Sequence, residues 1–282
     1  MNNGQLQHFI LTRFNLLLWQ RDKEGQKVRT MKWLDHRFTM FERFCLPSIK
    51  SQTCQDFEWI VLFDSMTPDC FKNKIAEYQK DYPQFIPVYV EPQNGHLFPQ
   101  IFRDEVVKRL TAERVITSYL DNDDALNVRY VEDVRQRASS VSDGTFINYT
   151  DGCQYYSDYG YLMRIYYPRN HFISLVEKGD HATLKTVFRY GGHYCIEKMD
   201  GVKIEHVKNL PMWCEVIHER NMGNDAYFFR AKMVKDEETL RNNYGIDETV
   251  KYGTGIYLCR FIPRYCITFV KRTKYYFIGR HW

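Results

Sequence analysis

Apolar residues recur with two different periods in the first half of the chain. Four short apolar runs have the length and composition of buried strands: 7–14, 57–64, 85–90 and 114–120. Between them, apolar residues recur every three or four positions, which predicts helices; the clearest set is Leu34, Phe38, Phe41, Cys45 and Ile49. Asp35 is a candidate N-cap of that helix, and Pro47 predicts a kink or a break in it. Strands that alternate with helices predict right-handed crossovers and a mostly parallel sheet flanked by helices, the α/β class.

Beyond Tyr130 the pattern changes. Alternating segments such as TFINYT and YLMRIYY surround Asp151-Gly152 and Tyr159-Gly160, which indicates hairpins and an antiparallel extension. A charged helical pattern returns at 232–246, and the end of the chain mixes aromatic with basic residues. We therefore predict two halves of one domain followed by a tail: 1–130, 131–256 and 257–282.

Composition narrows the class of protein. A chain of 282 residues that is 44% hydrophobic can bury a substantial core, and a net charge of +4 is too small to argue for nucleic acid as a partner. No segment has the features of a secretory signal, and none has the roughly 18 uncharged apolar residues of a membrane-spanning helix. The eight cysteines include no CxxC pair, which favours reduced thiols and a cytoplasmic protein.

The candidate chemistry lies in SYLDNDDALN, where Asp121, Asp123 and Asp124 follow an apolar run. In open α/β sheets, ligands bind outside the carboxyl ends of the strands. Carboxylates this close repel one another, and a bound Mg²⁺ or Mn²⁺ removes that repulsion while taking further ligands from phosphates and water. The motif therefore predicts a nucleotide-diphosphate site.

The acidic motif has three other possible interpretations. One is a solvated acidic turn in which Asp124 caps the next helix, and another is the carboxylate pair of a hydrolase; both stay open on the local sequence. An EF-hand loop is excluded, because Ala125 and Leu126 stand where a ligand and a glycine are required.

Longer segments carry a resemblance to a known family. CLPSIKSQTCQDFEWIVLFDSMTPD and ITSYLDNDDALN together resemble glycosyltransferases of the GT-A fold, especially the inverting family two. WLDHRFTMFERFCLPSIKSQTCQDFEWIVLF, LDNDDALN and PMWCEVIHERN are similar to segments of the family called "putative rhamnosyltransferase". The resemblance covers most of residues 7–225 and implies a GT-A-like, Rossmann-like fold, with a nucleotide-sugar-binding first half and an acceptor-binding, catalytic second half.

The resemblance also implies a donor site. Thr12 and Arg13, at the end of the first strand, would contact the nucleotide. Asp64, at the end of the second strand, would lie near the base or ribose, and Phe63 stands where family two often has a further Asp. Asp121 and Asn122 would contact the donor at the start of the DxD motif.

The same resemblance suggests metal ligands and a general base. Asp123 would bind the metal, Asp121 would face the ribose or metal-bound water, and His218 would be a late histidine ligand. An inverting enzyme needs a base for the acceptor hydroxyl, which family two usually provides as an "ED" pair. No such pair stands in the expected region, and His193 and Asp180 are the nearest candidates.

The implied function is metal-dependent, inverting sugar transfer from a nucleotide-diphosphate donor to a glycan or glycolipid, in bacterial-type surface polysaccharide synthesis. One alternative is a nucleotidyltransferase, although TRFNLLLW lacks the Gly-rich loop that such an enzyme carries after its first strand. Another is a non-catalytic binding module on a degenerate GT-A scaffold.

The tail admits two arrangements. Its aromatic residues alternate with six basic residues from 258 to 282, and Pro263 argues against one long amphipathic helix. We expect the tail to pack on the catalytic domain; the alternative is peripheral contact with an anionic membrane at the inner face.

Overall fold

The computed structural model describes residues 6–18, 27–190, 196, 201–218 and 231–256, and single positions of the tail: 258, 259, 262, 263, 266, 267, 269, 270 and 273. The strands, numbered along the chain, are β1 (Leu6–Arg13), β2 (Glu58–Asp64), β3 (Phe85–Val90), β4 (Arg114–Tyr119), β5 (Ala125–Leu126), β6 (Thr145–Tyr149), β7 (Asp151–Tyr156), β8 (Tyr161–Tyr166), β9 (Ile173–Lys178), β10 (Lys203–Val207), β11 (Trp213–Ile217) and β12 (Lys232–Met233). The helices are α1 (Met31–Met40), α2 (Leu46–Lys50), α3 (Asp69–Asp81), α4 (Phe98–Arg109), α5 (Tyr130–Ala138), α6 (Thr239–Tyr244) and α7 (Thr254–Ile256).

A seven-stranded sheet runs in the order β10-β6-β9-β4-β1-β2-β3. The first four strands pair in parallel, with β1 between β2 and β4. Strand β9 is antiparallel to both of its neighbours, β4 and β6, and β10 is parallel to β6. The predicted α/β class with a mostly parallel sheet is therefore confirmed.

Alternate residues of the central strands bury against helices on opposite faces of the sheet. Ile10 of β1 belongs to the apolar cluster that contains the buried faces of α1, α3 and α5. Phe9 belongs to a separate cluster that contains the buried face of α4. Strands covered on both faces are apolar at most positions, and this explains the nearly continuous apolar runs in the sequence.

The antiparallel extension is a second sheet, in the order β12-β8-β7-β11-β5. Strands β7 and β8 form the hairpin predicted around Tyr159-Gly160, whereas Asp151 and Gly152 lie within β7 and form no turn. Strand β11 pairs with β7 in parallel, so the extension is only partly antiparallel. Gly152 of β7 lies against Trp213 of β11, where an added Cβ would come within 2.1 Å of the indole ring. Strand β11 also pairs with β5, which directly follows the acidic segment after β4, so the residues after β11 lie beside that segment.

Three local predictions need correction or refinement. Thr30, and not Asp35, caps α1, because its hydroxyl accepts the backbone N–H of Trp33 at 3.2 Å. A π-helical turn separates α1 from α2, with Pro47 in the first turn of α2, so the predicted irregularity is confirmed. The helix predicted over 232–246 is confined to α6, which ends at the left-handed Gly245, while Lys232–Met233 pairs with β8.

The described residues of the tail are single positions, so the packing expected for the tail stays a prediction. They are helical in conformation, and their apolar side chains are exposed, with 52% of Leu258, 55% of Ile267, 63% of Phe269 and 65% of Val270 accessible to solvent. Within the described part of the chain, no helix is long and apolar enough to cross a membrane.

Candidate active site

The carboxyl ends of β1 and β4 meet where the strand order reverses. From β1 the sheet extends through β2 to β3 on one side, and the chain then returns to place β4 on the other side. Such a switch point leaves a crevice beyond the strand ends, where α/β proteins bind ligands. Arg13 ends β1, and Asp121 comes two residues after the end of β4, so both stand at this crevice.

Each of the three acids after β4 has its own basic partner. The contacts are Asp121 Oδ1 to Arg13 Nη2 at 3.7 Å, Asp123 Oδ2 to His218 Nε2 at 3.2 Å, and Asp124 Oδ2 to His171 Nε2 at 3.0 Å. The repulsion that the sequence predicts is therefore reduced by partners within the fold, before any metal binds.

Asp121 and Arg13 are joined through Tyr119. The phenol donates to Asp121 Oδ1 at 2.6 Å, and Arg13 Nη2 donates to the phenol oxygen at 2.5 Å. Burial and the charge of Asp121 hold the pKa of Tyr119 well above its ordinary value, so the phenol keeps its proton and donates. The Arg13 guanidinium carbon also lies 4.8 Å from the centre of the Phe98 ring and 5.6 Å from that of Phe188. Arg13 is thus a positioned positive charge at the crevice.

Asp123 and His218 are brought together across 95 positions of sequence. Both are largely buried, and both line a small cavity with Trp33, His36, Arg37 and Met40 of α1. Burial opposes the charge of Asp123, but the hydrogen bond from His218 and the charge of Arg37 lower its pKa to about 2. The pair therefore presents an ionised carboxylate beside an imidazole nitrogen.

Asp124 is fully buried and connects the acidic turn to β11 and to the segment before β9. Its Oδ1 accepts the backbone N–H of Val216 at 2.8 Å, and its Oδ2 contacts His171. Burial opposes protonation of His171, but the hydrogen bond with Asp124 and the charges of Asp124 and Asp121 raise its pKa to about 9. Asp124 does not cap a helix, as one interpretation had it, because β5 follows it and α5 begins only at Tyr130.

Two sets of side chains near the acidic turn carry donors of the kind that could hold a divalent cation. Asp121, Asp124 and His171 each offer one ligand atom, and these atoms lie within 4.8 Å of one another. Both oxygens of Asp124 are already engaged, however, so this set anchors the acidic turn to β11 and to the segment before β9. Asp123 and His218 face a cavity instead, and their oxygen and imidazole donors suit Mn²⁺, with the carboxylates also suiting Mg²⁺.

The predicted donor residues are only partly assembled. Thr12 is fully buried, and its Oγ1 accepts from Trp59 Nε1 at 2.9 Å, so its side chain belongs to the core. Asn122 is an anchor as well, because its Oδ1 accepts from Arg37 Nη1 at 2.6 Å. Asp64 is 1% exposed and forms an ion pair with Arg29.

A cavity of about 400 Å³ lies beyond the end of β2. Arg29, the ion-pair partner of Asp64, and the turn after Asp64 line this cavity. The full lining is Asn15, Leu17, Lys27, Val28, Arg29, Leu34, Met66, Thr67 and Pro68. Asp64 therefore stands next to an open, partly basic pocket, although its own carboxylate is covered by Arg29.

The structure does not bring Asp180 to the acidic cluster. Lys178 pairs with Arg114 at the start of β4, and the Gly179 N–H bonds the carbonyl of Glu113. Asp180 thus follows at the end of β4 opposite to Asp121, roughly 20 Å away along a six-residue strand. His193, the other candidate base, lies outside the described residues.

Sequence reasoning missed His171 and Arg37. His171 lies two residues before β9. Because β9 is antiparallel to β4, its amino end lies beside the carboxyl end of β4, where the acidic turn begins. A histidine directly before an apolar run was the available signal. Arg37 lies on the polar side of an otherwise apolar helical pattern, where nothing local distinguishes it from a solvated residue.

Comparison with known protein families identifies one family that matches this chain. The family model described as "Putative rhamnosyl transferase" matches residues 7–228. No curated protein matches the chain. The matched range includes the site residues described above, from Arg13 to His218.

Several solved structures are similar at low identity. Residues 1–349 of S. aureus TarS are 11% identical with a TM-score of 0.43, and 74% of this chain and 60% of that chain are covered. This chain therefore spans less than two thirds of that structure. A 4-diphosphocytidyl-2C-methyl-D-erythritol synthase is 13% identical with a TM-score of 0.35, covering 78% of this chain and 93% of that one. A "putative nucleotide-diphospho-sugar transferase" from Desulfovibrio desulfuricans G20 is 12% identical with a TM-score of 0.34, covering 77% and 82%.

Proposed function

This chain belongs to the family described as "Putative rhamnosyl transferase", and we propose that it is a glycosyltransferase that depends on a divalent cation. In this proposal it moves a sugar from a nucleotide-diphosphate donor to a hydroxyl group of a glycan or glycolipid. Rhamnose is the sugar suggested by the family description, and synthesis of a surface polysaccharide is the proposed setting. The protein would work in the cytoplasm, at the inner face of the membrane.

The observation that carries this proposal is the contact between Asp123 and His218 at the switch point of the sheet, in an acidic turn whose Asp121 is paired with Arg13. A diphosphate needs positive charge, and a crevice at strand ends admits it. Asp123, with its lowered pKa, is ionised at neutral pH and can hold a cation.

The proposed cation ligands are Asp123 and His218, and Asp121, which precedes Asp123 by two residues, is the partner of Arg13. When bound, Mn²⁺ or Mg²⁺ neutralises charge on the diphosphate and stabilises its departure. Arg13 adds a fixed positive charge, held by Tyr119 and by two aromatic rings, so little reorganisation is needed when the diphosphate arrives.

We assign the nucleoside to the cavity beyond β2. Its volume of about 400 Å³ is in the range of small-ligand sites, and Lys27 and Arg29 contribute positive charge. Asp64 holds Arg29 at one edge of this cavity, so its proposed role at the base or ribose is exerted partly through that ion pair.

The proposed reaction is a single displacement. The acceptor oxygen attacks the anomeric carbon, the bond from that carbon to the diphosphate oxygen breaks, and the acceptor proton passes to a general base. Configuration at the anomeric carbon is then inverted. His193 remains the proposed base, whereas the position of Asp180 at the opposite end of β4 argues against that residue.

The tail is proposed to contact an anionic membrane peripherally. The described apolar side chains there are exposed, and no acidic residue follows Glu248, whereas Lys and Arg recur to position 280. Exposed apolar side chains combined with positive charge favour a surface with anionic headgroups. A glycolipid acceptor would be presented at such a surface.

The proposal is tested by thermal unfolding with UDP, GDP, dTDP, CMP, CTP and UTP, each with and without Mn²⁺. A ligand at a hundred times its dissociation constant adds about 2.7 kcal/mol, or roughly 5–10 °C here. We expect one nucleoside diphosphate, or CMP, to raise the Tm only with Mn²⁺, in the parent and in the exposed control Asp81→Asn but not in Asp123→Asn. A shift with triphosphates alone would favour a nucleotidyltransferase, and no shift at all would favour a degenerate scaffold.

A further inference from the structure

A second histidine contacts the proposed metal ligand His218 from the opposite side. His36 Nε2 lies 3.4 Å from His218 Nδ1, and the two rings are tilted by 66° with their centres 5.1 Å apart. Nε2 of His218 faces Asp123 at 3.2 Å. The imidazole of His218 is thus held at both nitrogens, by a carboxylate on one side and by another imidazole on the other.

His36 reaches this position because α1 presents one face to the cavity. Trp33, His36 and Met40 are spaced three and four residues apart, and Arg37 beside them holds Asn122 of the acidic turn. The helix that fixes the turn therefore also carries His36. Arg37 contacts Asn122 and His36 contacts His218, so α1 is fixed in position relative to both the acidic turn and His218.

We propose that His36 is a positioning residue that sets the tautomer of His218 for metal binding; this inference rests on the proposed function. A histidine that binds a metal through Nε2 carries its proton on Nδ1, and this N–H needs an acceptor. The Nε2 atom of His36 is within reach to accept it.

An imidazole partner differs from a carbonyl or a carboxylate in a way that suits this role. Without a metal, His218 can donate from Nε2 to Asp123 and accept at Nδ1 from His36. With a metal on Nε2, the direction of the second hydrogen bond reverses. A neutral imidazole donates or accepts at Nε2 according to its own tautomer, so His36 satisfies His218 in both states.

The test compares two substitutions of His36 by titration with Mn²⁺ alone, without nucleotide, followed by electron paramagnetic resonance. His36→Leu removes the hydrogen bond and is expected to weaken Mn²⁺ binding by about tenfold or more. His36→Gln keeps a group that donates or accepts near the same place, and we expect affinity within about threefold of the parent. His181→Leu, an exposed position at the opposite end of β4, is the matched control and should bind as the parent does.

A second measurement reads the tautomer directly. In protein with ¹⁵N-labelled histidine and bound Zn²⁺, a diamagnetic cation that binds imidazole nitrogen, the parent and His36→Gln should show His218 protonated at Nδ1, whereas His36→Leu should not show a single tautomer. Equal Mn²⁺ affinity in a folded His36→Leu protein would overturn the inference, and so would an equal loss in both His36 variants. His218→Ala separates the two proposals: if it also binds Mn²⁺ like the parent, the metal assignment itself fails, and the role of His36 fails with it.

Discussion

His218 Nε2 lies 3.2 Å from Asp123 Oδ2, although the two residues are 95 positions apart. Strand β11 ends one residue before His218 and pairs with β5, which follows the acidic turn directly. The contact is therefore a consequence of sheet pairing, and the two side chains meet at the rim of a cavity that α1 completes. This arrangement separates Asp123, which faces the cavity, from its fully buried neighbour Asp124.

Asp123 and Asp124 are adjacent, but we expect their substitutions to have different effects. Asp124→Ala leaves His171 and the Val216 N–H buried without their partner, so the free energy of unfolding should fall by about 3–5 kcal/mol. Asp123→Ala should change stability less and abolish most of the Mn²⁺ affinity. Urea unfolding and Mn²⁺ titration of both variants check this, and a severe loss of Mn²⁺ binding confined to Asp124→Ala in a folded protein would reverse the assignment of ligand and anchor.

Arg13 should not be replaceable by lysine. Lysine keeps the charge but loses the planar group that contacts Tyr119 and the Phe98 ring. We expect Arg13→Lys to raise the KM for the nucleotide-sugar donor by about tenfold, which corresponds to about 1.4 kcal/mol. Steady-state kinetics on the donor identified by thermal unfolding provide the measurement. Arg129→Lys, on the exposed start of α5, is the control, and equal KM values for both variants would remove Arg13 from the donor site.

His8 should make the protein less stable as the pH falls from 6.5 towards 3. Burial and the nearby charge of Arg135 lower its pKa from 6.5 to about 3, so in this window the unfolded chain binds a proton that the folded chain does not. Its contribution at pH 5 is a loss of roughly 2 kcal/mol relative to pH 7.

The measurement for His8 is urea unfolding at pH 7 and pH 5. His8→Gln keeps a polar group near Ser118 Oγ, which His8 Nε2 contacts at 2.7 Å, and removes the titration. We expect a flatter dependence of stability on pH in this variant than in the parent or in His181→Gln, an exposed control. An unchanged slope would mean that His8 is not the responsible group.

The tail should bind anionic vesicles through its exposed apolar side chains. Phe269→Ser combined with Val270→Ser removes apolar area but no charge, and we expect weaker cosedimentation with vesicles that contain phosphatidylglycerol. Tyr89→Ser, which removes an exposed aromatic residue of β3, is the control and should bind as the parent does. If the double variant sediments like the parent, the tail does not use these side chains at a membrane.

The sequence by itself determined the fold class, because the periods of strands and helices are local properties of the chain. Four continuous apolar runs separated by helical patterns identified β1 to β4, and the acidic motif after β4 located the crevice. The N-cap of α1 was harder to predict, since Asp35 and Thr30 are both competent caps and only the helix boundary distinguishes them. The family resemblance likewise rested on contiguous segments, and the family match agrees with it.

Only the tertiary structure decided which partner each acid has. His171 and Asp124 are 47 positions apart, and their contact depends on β9 running antiparallel to β4. The same strand places Asp180 away from the site, because the carboxyl end of β9 lies beside the start of β4 and the acidic turn follows the other end of β4. Thr12 was turned into the core by Trp59 of the neighbouring strand. Pairing of distant strands is set by burial summed over the whole sheet, and so no local pattern around Asp121 could show that its neighbours are paired within the fold.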